Sequence, residues 1–145
     1  DEINALGGNI QNAYGISIDE LKAAIPCGIG KINVDTDIRL AVTRNMKEFF
    51  KNNPSKRDSA SIGGVYQLLE EKKDQFDPRA FLPPIMDTVM YGTIKDDDTA
   101  ALVEVIEKGV KEAIGTLIVE FGSFGKAPLV EQISLEEMIE RYKKM

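Results

Sequence analysis

The sequence predicts an α/β fold in which a helix, a strand and a second helix are followed by a helical extension. Residues 31–35 alternate polar and apolar side chains, with Ile32 and Val34 on one side, which is the period-two pattern of a short strand. Helical spacing of apolar residues precedes and follows this stretch, and a longer helical pattern extends from Leu102 to Phe121. An apolar fraction of 43% is typical of a globular core.

A capping box marks the start of the first clear helix. Ser17 is followed three residues later by Glu20, so that each side chain can hydrogen-bond the backbone N–H of the other residue. The helix is expected to end near Pro26, because proline lacks an N–H donor and clashes with the preceding turn. Residues 1–15 contain glycine breakers and are predicted to form a loop with one turn of helix at its start.

The strand is predicted from about residue 30 to residue 35, and a helix capped by Thr36 or Asp37 follows at once. A strand that continues directly into a helix places its last polar groups beside free backbone N–H groups, where anions bind. The polar side chains at this junction, which include Asn33 and Asp35, are therefore candidates for ligand binding. Three basic residues of the following helix lie outside its apolar stripe: Arg39, Arg44 and Lys47.

The second half of the chain is predicted to be helical between loops. Residues 52–64 are polar and rich in breakers, so they are expected to form a long loop before a short helix at 65–73. Asp77 is expected to cap a helix with proline at its first position. A long helix is predicted from about Thr99 to Gly122, and a second capping box begins the last helix at Ser134.

Charge and cysteine content exclude several classes of partner. With 24 acidic and 18 basic residues the net charge is −6, so nucleic acid and acidic membrane surfaces are not expected to bind. No apolar run approaches the roughly 20 residues of a membrane span. The single Cys27 allows no internal disulfide, so a reducing cytoplasm is the expected location, and this thiol is expected to act as a small apolar side chain.

Several stretches in a fixed order resemble class II, metal-dependent fructose-1,6-bisphosphate aldolases. In chain order they are Leu-Gly-Gly at 6–8, Tyr-Gly-Ile at 14–16, Ser-Ile-Asp-Glu at 17–20, Lys-Ile-Asn-Val-Asp-Thr-Asp-Ile-Arg-Leu-Ala at 31–41, Phe-Asp-Pro-Arg at 76–79 and Ile-Ser-Leu-Glu-Glu-Met at 133–138. The resemblance is therefore distributed over the chain and does not depend on one motif.

The resemblance implies that the chain is the C-terminal portion of a (β/α)8 TIM barrel. Residues 1–51 then close the barrel, with the strand at about 30–35 as its last strand. Residues 52–75 form a long loop or linker insertion, and residues 76–145 form a C-terminal helical extension. A complete barrel needs roughly 250 residues, so a chain of 145 residues holds at most the closing unit.

The resemblance also implies an activity and a cofactor. It implies the reversible aldol cleavage of fructose 1,6-bisphosphate to dihydroxyacetone phosphate and glyceraldehyde 3-phosphate in glycolysis and gluconeogenesis, with catalytic zinc bound by histidines. This sequence contains no histidine, so zinc ligands are expected upstream of these residues, and no catalytic or metal-binding residue is assigned here. The expected partners are a phosphorylated sugar, the remaining N-terminal part of the enzyme and a second copy in a homodimer.

Four residues are expected to bind substrate by the same resemblance. Asn33 contacts the carbonyl region of the ketose phosphate, Asp35 its hydroxyls or the phosphate-loop amides, and Thr36 its one-phosphate. Arg79 binds the six-phosphate of substrate held by the neighbouring subunit, where a guanidinium fork fits a phosphate dianion. Each also has a structural explanation. Asn33 would satisfy the end of a strand, Asp35 and Thr36 would cap a helix, and Arg79 would be an exposed surface arginine. For Arg39 we expect ion pairing.

Two alternatives remain open from the sequence. Tagatose-bisphosphate aldolases differ in the stereochemistry of one hydroxyl, and the residues above do not separate the two sugars. A helical binding or assembly module that keeps the 31–37 motif for structure alone is the alternative from a different functional class.

Overall fold

A computed structural model of the chain describes residues 2–13, 15–130 and 132–144, so Tyr14 of the 14–16 motif lies outside the described residues. The α-helices in chain order are α1 (Glu2–Ala5), α2 (Ile18–Ala24), α3 (Thr36–Asn52), α4 (Gly63–Glu71), α5 (Met86–Tyr91), α6 (Asp97–Glu120) and α7 (Leu135–Lys143). Short 3-10 helices lie at Ile25–Cys27, Pro54–Asp58, Pro78–Ala80, Pro83–Ile85 and Ala127–Leu129.

The predicted α/β fold class is wrong, because the described residues form helices, turns and loops and no β-strand. The strand expected at about 30–35 is an irregular segment in the structure. No backbone hydrogen bond between described residues joins 29–34 to another segment. A period-two pattern determines which side chains share a face, but a strand forms only when a neighbour completes its hydrogen-bond ladder. The described chain is therefore all-helical and is not a portion of a (β/α)8 TIM barrel.

The core forms where α3 packs against α4 and α6. Its fully buried side chains include Met46 and Phe50 of α3, Val65 of α4 and Leu102 of α6. The 3-10 segments after α4 contribute further apolar side chains to the same cluster, namely Phe81, Leu82 and Ile85. Removing such side chains from water is the main source of stability in a chain of this size.

Most predicted helix ends agree with the structure. The capping box at Ser17 forms as predicted, with the Ser17 hydroxyl accepting from Glu20 N and the Glu20 carboxylate accepting from Ser17 N. Gly122 ends α6 with a φ of +66°, which suits a residue without a Cβ atom. The cap of α3 differs from the prediction, because this helix begins at Thr36 and Asp35 occupies the capping position without a side-chain cap bond.

One further prediction about this region needs correction, and the burial of Lys47 adds a feature that the sequence did not predict. The loop expected at 52–64 contains the 3-10 helix Pro54–Asp58, and α4 begins at Gly63. Lys47 is only 5% exposed although its position lies outside the apolar stripe. Its ammonium donates to the Leu69 carbonyl oxygen at 3.2 Å, which partly satisfies a charge that α4 covers. Burial lowers the pKa of Lys47.

The chain after α6 has little contact with the core. Every described residue from 122 to 130 is exposed, and α7 has no buried residue although Leu135, Met138 and Ile139 are apolar. In the described residues, no helix is long and apolar enough to cross a membrane.

Candidate functional site

The segment before α3 and the 3-10 turn Pro78–Ala80 come together in the fold. Four charged side chains join them in the order Asp35, Arg39, Asp77, Arg79, and we call this set the Arg39 cluster. Two of the four predicted ligands, Asp35 and Arg79, are therefore at opposite ends of one hydrogen-bonded array.

Arg39 lies at the centre of the cluster and contacts two carboxylates. Its Nε donates to Oδ1 of Asp35 at 2.8 Å, and its Nη2 also pairs with the Asp35 carboxylate, one turn earlier in the chain. Its Nη1 donates to Oδ2 of Asp77 at 2.8 Å. The planar guanidinium can make these bonds at once because its N–H groups point in several fixed directions.

Asp77 in turn holds Arg79 through both main-chain and side-chain bonds. The Asp77 carboxylate accepts from the backbone N–H of Arg79 at 3.0 Å, so it caps the 3-10 turn as predicted. The Nε of Arg79 lies 3.0 Å from each Asp77 oxygen, and Nη2 donates to Oδ2 at 2.6 Å. The Nη1 of Arg79 makes no hydrogen bond within the described chain and is available to a ligand.

These contacts shift the pKa values of both partners in opposite directions. Hydrogen bonding from the Arg79 side chain lowers the pKa of Asp77, with smaller contributions from the Arg79 N–H and the charge of Arg39. The same hydrogen bond raises the pKa of Arg79, and the charge of Asp35 adds to this effect. Asp77 is therefore ionised at neutral pH and keeps Arg79 paired.

Neighbouring contacts fix the turn that carries Arg79. The Thr43 hydroxyl of α3 donates to the Phe76 carbonyl oxygen at 2.8 Å, and the Lys72 ammonium donates to the Ala80 carbonyl oxygen at 3.1 Å. Phe81, directly after the turn, is fully buried. The backbone around Arg79 is thus held on both sides, while the Arg79 side chain itself is 70% exposed.

The other two predicted ligands lie close by in sequence but outside the array. Asn33 is exposed and makes no hydrogen bond with the described residues, so its predicted role at a strand end does not apply. Thr36 is half-buried as the first residue of α3, where the first backbone N–H groups of a helix lack helical partners. Asn33, Asp35 and Thr36 together line the approach to this helix start.

The larger cavity on α3 is a different feature. It has a volume of about 690 Å³ and is lined by Asp37, Arg44 and Glu112, among others, and none of the four predicted ligands lines it. Arg44 is already paired there with Glu2 and Glu112. Among its described lining residues, the cavity therefore offers no free cation for a phosphate.

The donor set of the described residues does not fit a catalytic zinc ion. No three His, Cys, Asp or Glu side chains in 2–13, 15–130 and 132–144 are grouped so that they could hold a metal ion. The chain has no histidine, and its one cysteine, Cys27, is exposed in a 3-10 helix. Zinc sites in proteins are built mainly from such nitrogen and sulfur ligands.

Comparison with known families assigns the chain to one of them. The family model for class-II fructose-bisphosphate aldolase matches residues 10–126, which include the segment before α3 and the turn that carries Arg79. The chain belongs to the class-II fructose-bisphosphate aldolase family.

Individual aldolases are similar along nearly the whole chain. Fructose-bisphosphate aldolases of Nostoc sp. and Xanthobacter flavus are 29% and 30% identical over 142 residues, which is 98% of this chain but 28% and 29% of theirs. Fructose-bisphosphate aldolase 2 of Rhodobacter capsulatus is 28% identical over 98% of this chain and 90% of its own. The chain thus spans under a third of the length of the first two relatives. No solved structure matches.

Sequence reasoning missed how the charged residues of this chain combine. It assigned Arg39 to ion pairing and Asp77 to capping, and both assignments are confirmed. It did not connect the two residues, which are 38 positions apart in the chain. The i,i+4 spacing of Asp35 and Arg39 on one helical turn was a usable indication of the first pair.

Proposed function

We propose that this chain supplies substrate-binding residues to a class II fructose-bisphosphate aldolase. The reaction is the reversible cleavage of fructose 1,6-bisphosphate to dihydroxyacetone phosphate and glyceraldehyde 3-phosphate, as in glycolysis. The Arg39 cluster supports the proposal, since it joins the exposed guanidinium of Arg79 to the predicted ligand Asp35 through Asp77 and Arg39 in a member of this family.

Each predicted ligand has a role in the proposed complex. Asn33 is exposed and binds the carbonyl region of the ketose. Thr36 binds the one-phosphate with its hydroxyl and with the N–H groups at the start of α3, which carry partial positive charge. Asp35 accepts substrate hydroxyls, and Arg79 binds the six-phosphate with donors that Asp77 leaves free.

Zinc is the cofactor in this proposal, and its ligands belong to the enzyme outside these 145 residues. Membership of the class II family supports zinc as the cofactor. The chain's own contribution is positioning, which lowers the barrier by holding the substrate in a reactive geometry. The proposed assembly is a homodimer in which Arg79 reaches the substrate of the neighbouring subunit.

Removal of Arg79 tests the proposed phosphate contact. In the full-length enzyme, we expect Arg79→Met to lower kcat/KM for fructose 1,6-bisphosphate by about 10- to 100-fold, the effect of one lost charged hydrogen bond. Binding of dihydroxyacetone phosphate, which lacks the six-phosphate, is expected to stay unchanged. Steady-state kinetics and calorimetric titration give the two values.

Controls for this experiment use a conservative variant and a second sugar. Arg79→Lys keeps the charge but loses the fork, so an intermediate loss is expected. Equal losses for both ligands contradict the six-phosphate assignment. An enzyme that cleaves neither fructose nor tagatose 1,6-bisphosphate contradicts the proposed function, and the ratio of the two rates identifies the preferred sugar.

A further inference from the structure

We propose that Arg39 is a positioning residue, which holds Asp35 and Asp77 together and thereby sets the orientation of Arg79 for phosphate binding. The inference rests on the proposed function, in which Arg79 is a phosphate ligand. It adds a residue that contacts no substrate and acts through two carboxylates.

The exposure of the cluster supports a division into an inner and an outer part. The inner side chains, Arg39 and Asp77, are 28% and 24% exposed, whereas the outer side chains, Asp35 and Arg79, are 67% and 70% exposed. An ion pair that is largely shielded from water is less screened than an exposed one. The Arg39–Asp77 pair is therefore the more fixed part of the cluster, and it positions the exposed guanidinium of Arg79.

The bond from Arg39 is the direct tie between the Asp77 carboxylate and α3. Thr43 anchors the backbone at Phe76, but this contact does not restrain the carboxylate of Asp77. Because that carboxylate makes three side-chain contacts with Arg79, any rotation of Asp77 turns the guanidinium with it. Loss of Arg39 would leave the turn in place and free the direction in which Arg79 points.

Charge balance gives Arg39 a second effect at the same place. The four members of the cluster carry two positive and two negative charges, so the array is neutral as a whole. Without Arg39, a phosphate that approaches Arg79 would meet two carboxylates and one guanidinium. The resulting net negative charge opposes binding of a dianion.

An ion pair without functional effect is the competing explanation, and Arg44 provides the matched control. Arg44 is on the same helix, its side chain is 29% exposed, and it also bridges two carboxylates, Glu2 and Glu112. It lies outside the cluster and contacts neither Asp77 nor Arg79. Replacing either arginine by methionine therefore removes a similar set of ion pairs, but only one replacement affects the proposed phosphate ligand.

The test is a double-mutant cycle in the full-length enzyme. We expect Arg39→Met to raise KM for fructose 1,6-bisphosphate about tenfold, with kcat within about twofold of the wild type, because the loss lies in binding. In the Arg79→Met background, the same change at Arg39 should raise KM by much less than tenfold, because only the effect on charge balance remains. Arg39→Lys should rescue part of the loss, since one ammonium cannot reproduce the bonds to both carboxylates.

Several outcomes would overturn the proposal. Independent, multiplicative effects of Arg39→Met and Arg79→Met would show that Arg39 does not act through Arg79. A KM change in Arg44→Met equal to that in Arg39→Met would show a general loss of structure, which thermal unfolding of both variants checks. Unchanged KM in Arg39→Met would also contradict the proposed role.

Binding of inorganic phosphate separates this inference from the proposed function. If the wild-type enzyme cleaves no sugar bisphosphate, the proposed function fails, and the wild type, Arg39→Met, Arg79→Met and the double variant are compared by phosphate titration. Loss of phosphate binding in Arg39→Met and Arg79→Met without additivity then supports the positioning role. Phosphate binding that is unaffected by Arg39→Met, or absent from the wild type, contradicts it.

Discussion

At the scale of single residues, Asp77 gives the clearest prediction about stability. Its pKa is lowered in the fold, mainly by hydrogen bonding from Arg79. An acid with a lowered folded pKa contributes stability that is fully present above its ordinary pKa of 3.8 and is lost as the pH falls through the folded pKa. We therefore expect Asp77→Asn to reduce the free energy of unfolding by about 1 kcal/mol at neutral pH.

Urea unfolding at a series of pH values measures this contribution. The difference between wild type and Asp77→Asn should shrink as the pH falls below 3.8. Asp74→Asn is the control, because Asp74 is exposed and, among the described residues, its carboxylate accepts a long 3.5 Å hydrogen bond from the adjacent Gln75. A constant difference at all pH values would assign the effect of Asp77→Asn to shape instead of charge.

Single residues also show which side-chain contacts the sequence does not predict. The capping roles of Ser17 and Asp77 follow from their neighbours a few positions away, so a local sequence pattern was sufficient to predict these roles. The burial of Lys47 depends on α4, and the Arg39–Asp77 pair joins residues 38 positions apart. Contacts of this kind are determined by tertiary packing, which the pattern along one helix does not contain.

At the scale of helices, the contact between α3 and α6 depends on Gly109. A Cβ atom at this position would lie 2.9 Å from the Cα of Val42 and 3.0 Å from the Ala41 carbonyl oxygen. Both are backbone atoms, so no side-chain rotation relieves the clash. We expect Gly109→Ala to destabilise the protein by about 1 to 3 kcal/mol, in spite of the higher helix propensity of alanine.

The same helix contains the control for this prediction. Gly115 has open space where a Cβ atom would lie, so Gly115→Ala should stabilise the protein by about 0.5 to 1 kcal/mol through backbone entropy. Chemical denaturation of the two variants compares them directly. A stabilising effect of Gly109→Ala similar to that of Gly115→Ala would show that α6 does not pack closely on α3 at Gly109.

The helices and the segment at 30–35 also show which parts of the secondary structure the sequence determines. Helix positions were predictable because caps, glycine ends and 3.6-residue periodicity are local properties, as at α2 and α6. The strand prediction at about 30–35 was wrong because alternation alone does not provide a pairing partner. The same stretch carried part of the resemblance to the family and lies within the residues 10–126 that the family model matches, so it was informative about family and misleading about local structure.

At the scale of the whole molecule, the proposed homodimer places the Arg39 cluster between two active sites. In this arrangement Asp35 faces the substrate of its own subunit and Arg79 that of the neighbour, and Arg39 links them within one chain. Each site then combines residues of two chains. Two variants of reduced activity with changes at different ends of the cluster should therefore complement one another.

Mixed dimers of Asp35→Asn and Arg79→Met test this arrangement. With equal amounts of both full-length chains, random pairing makes half of the dimers mixed, and each mixed dimer has one site with both residues intact. About a quarter of the wild-type sites should then be active, which cleavage of fructose 1,6-bisphosphate at low substrate concentration measures. If each site takes Asp35 and Arg79 from the same chain, every site carries one substitution. The cleavage activity of the mixture then stays at the level of the single variants. Recovery to about a quarter therefore supports the shared site, and no recovery assigns both ligands to one subunit.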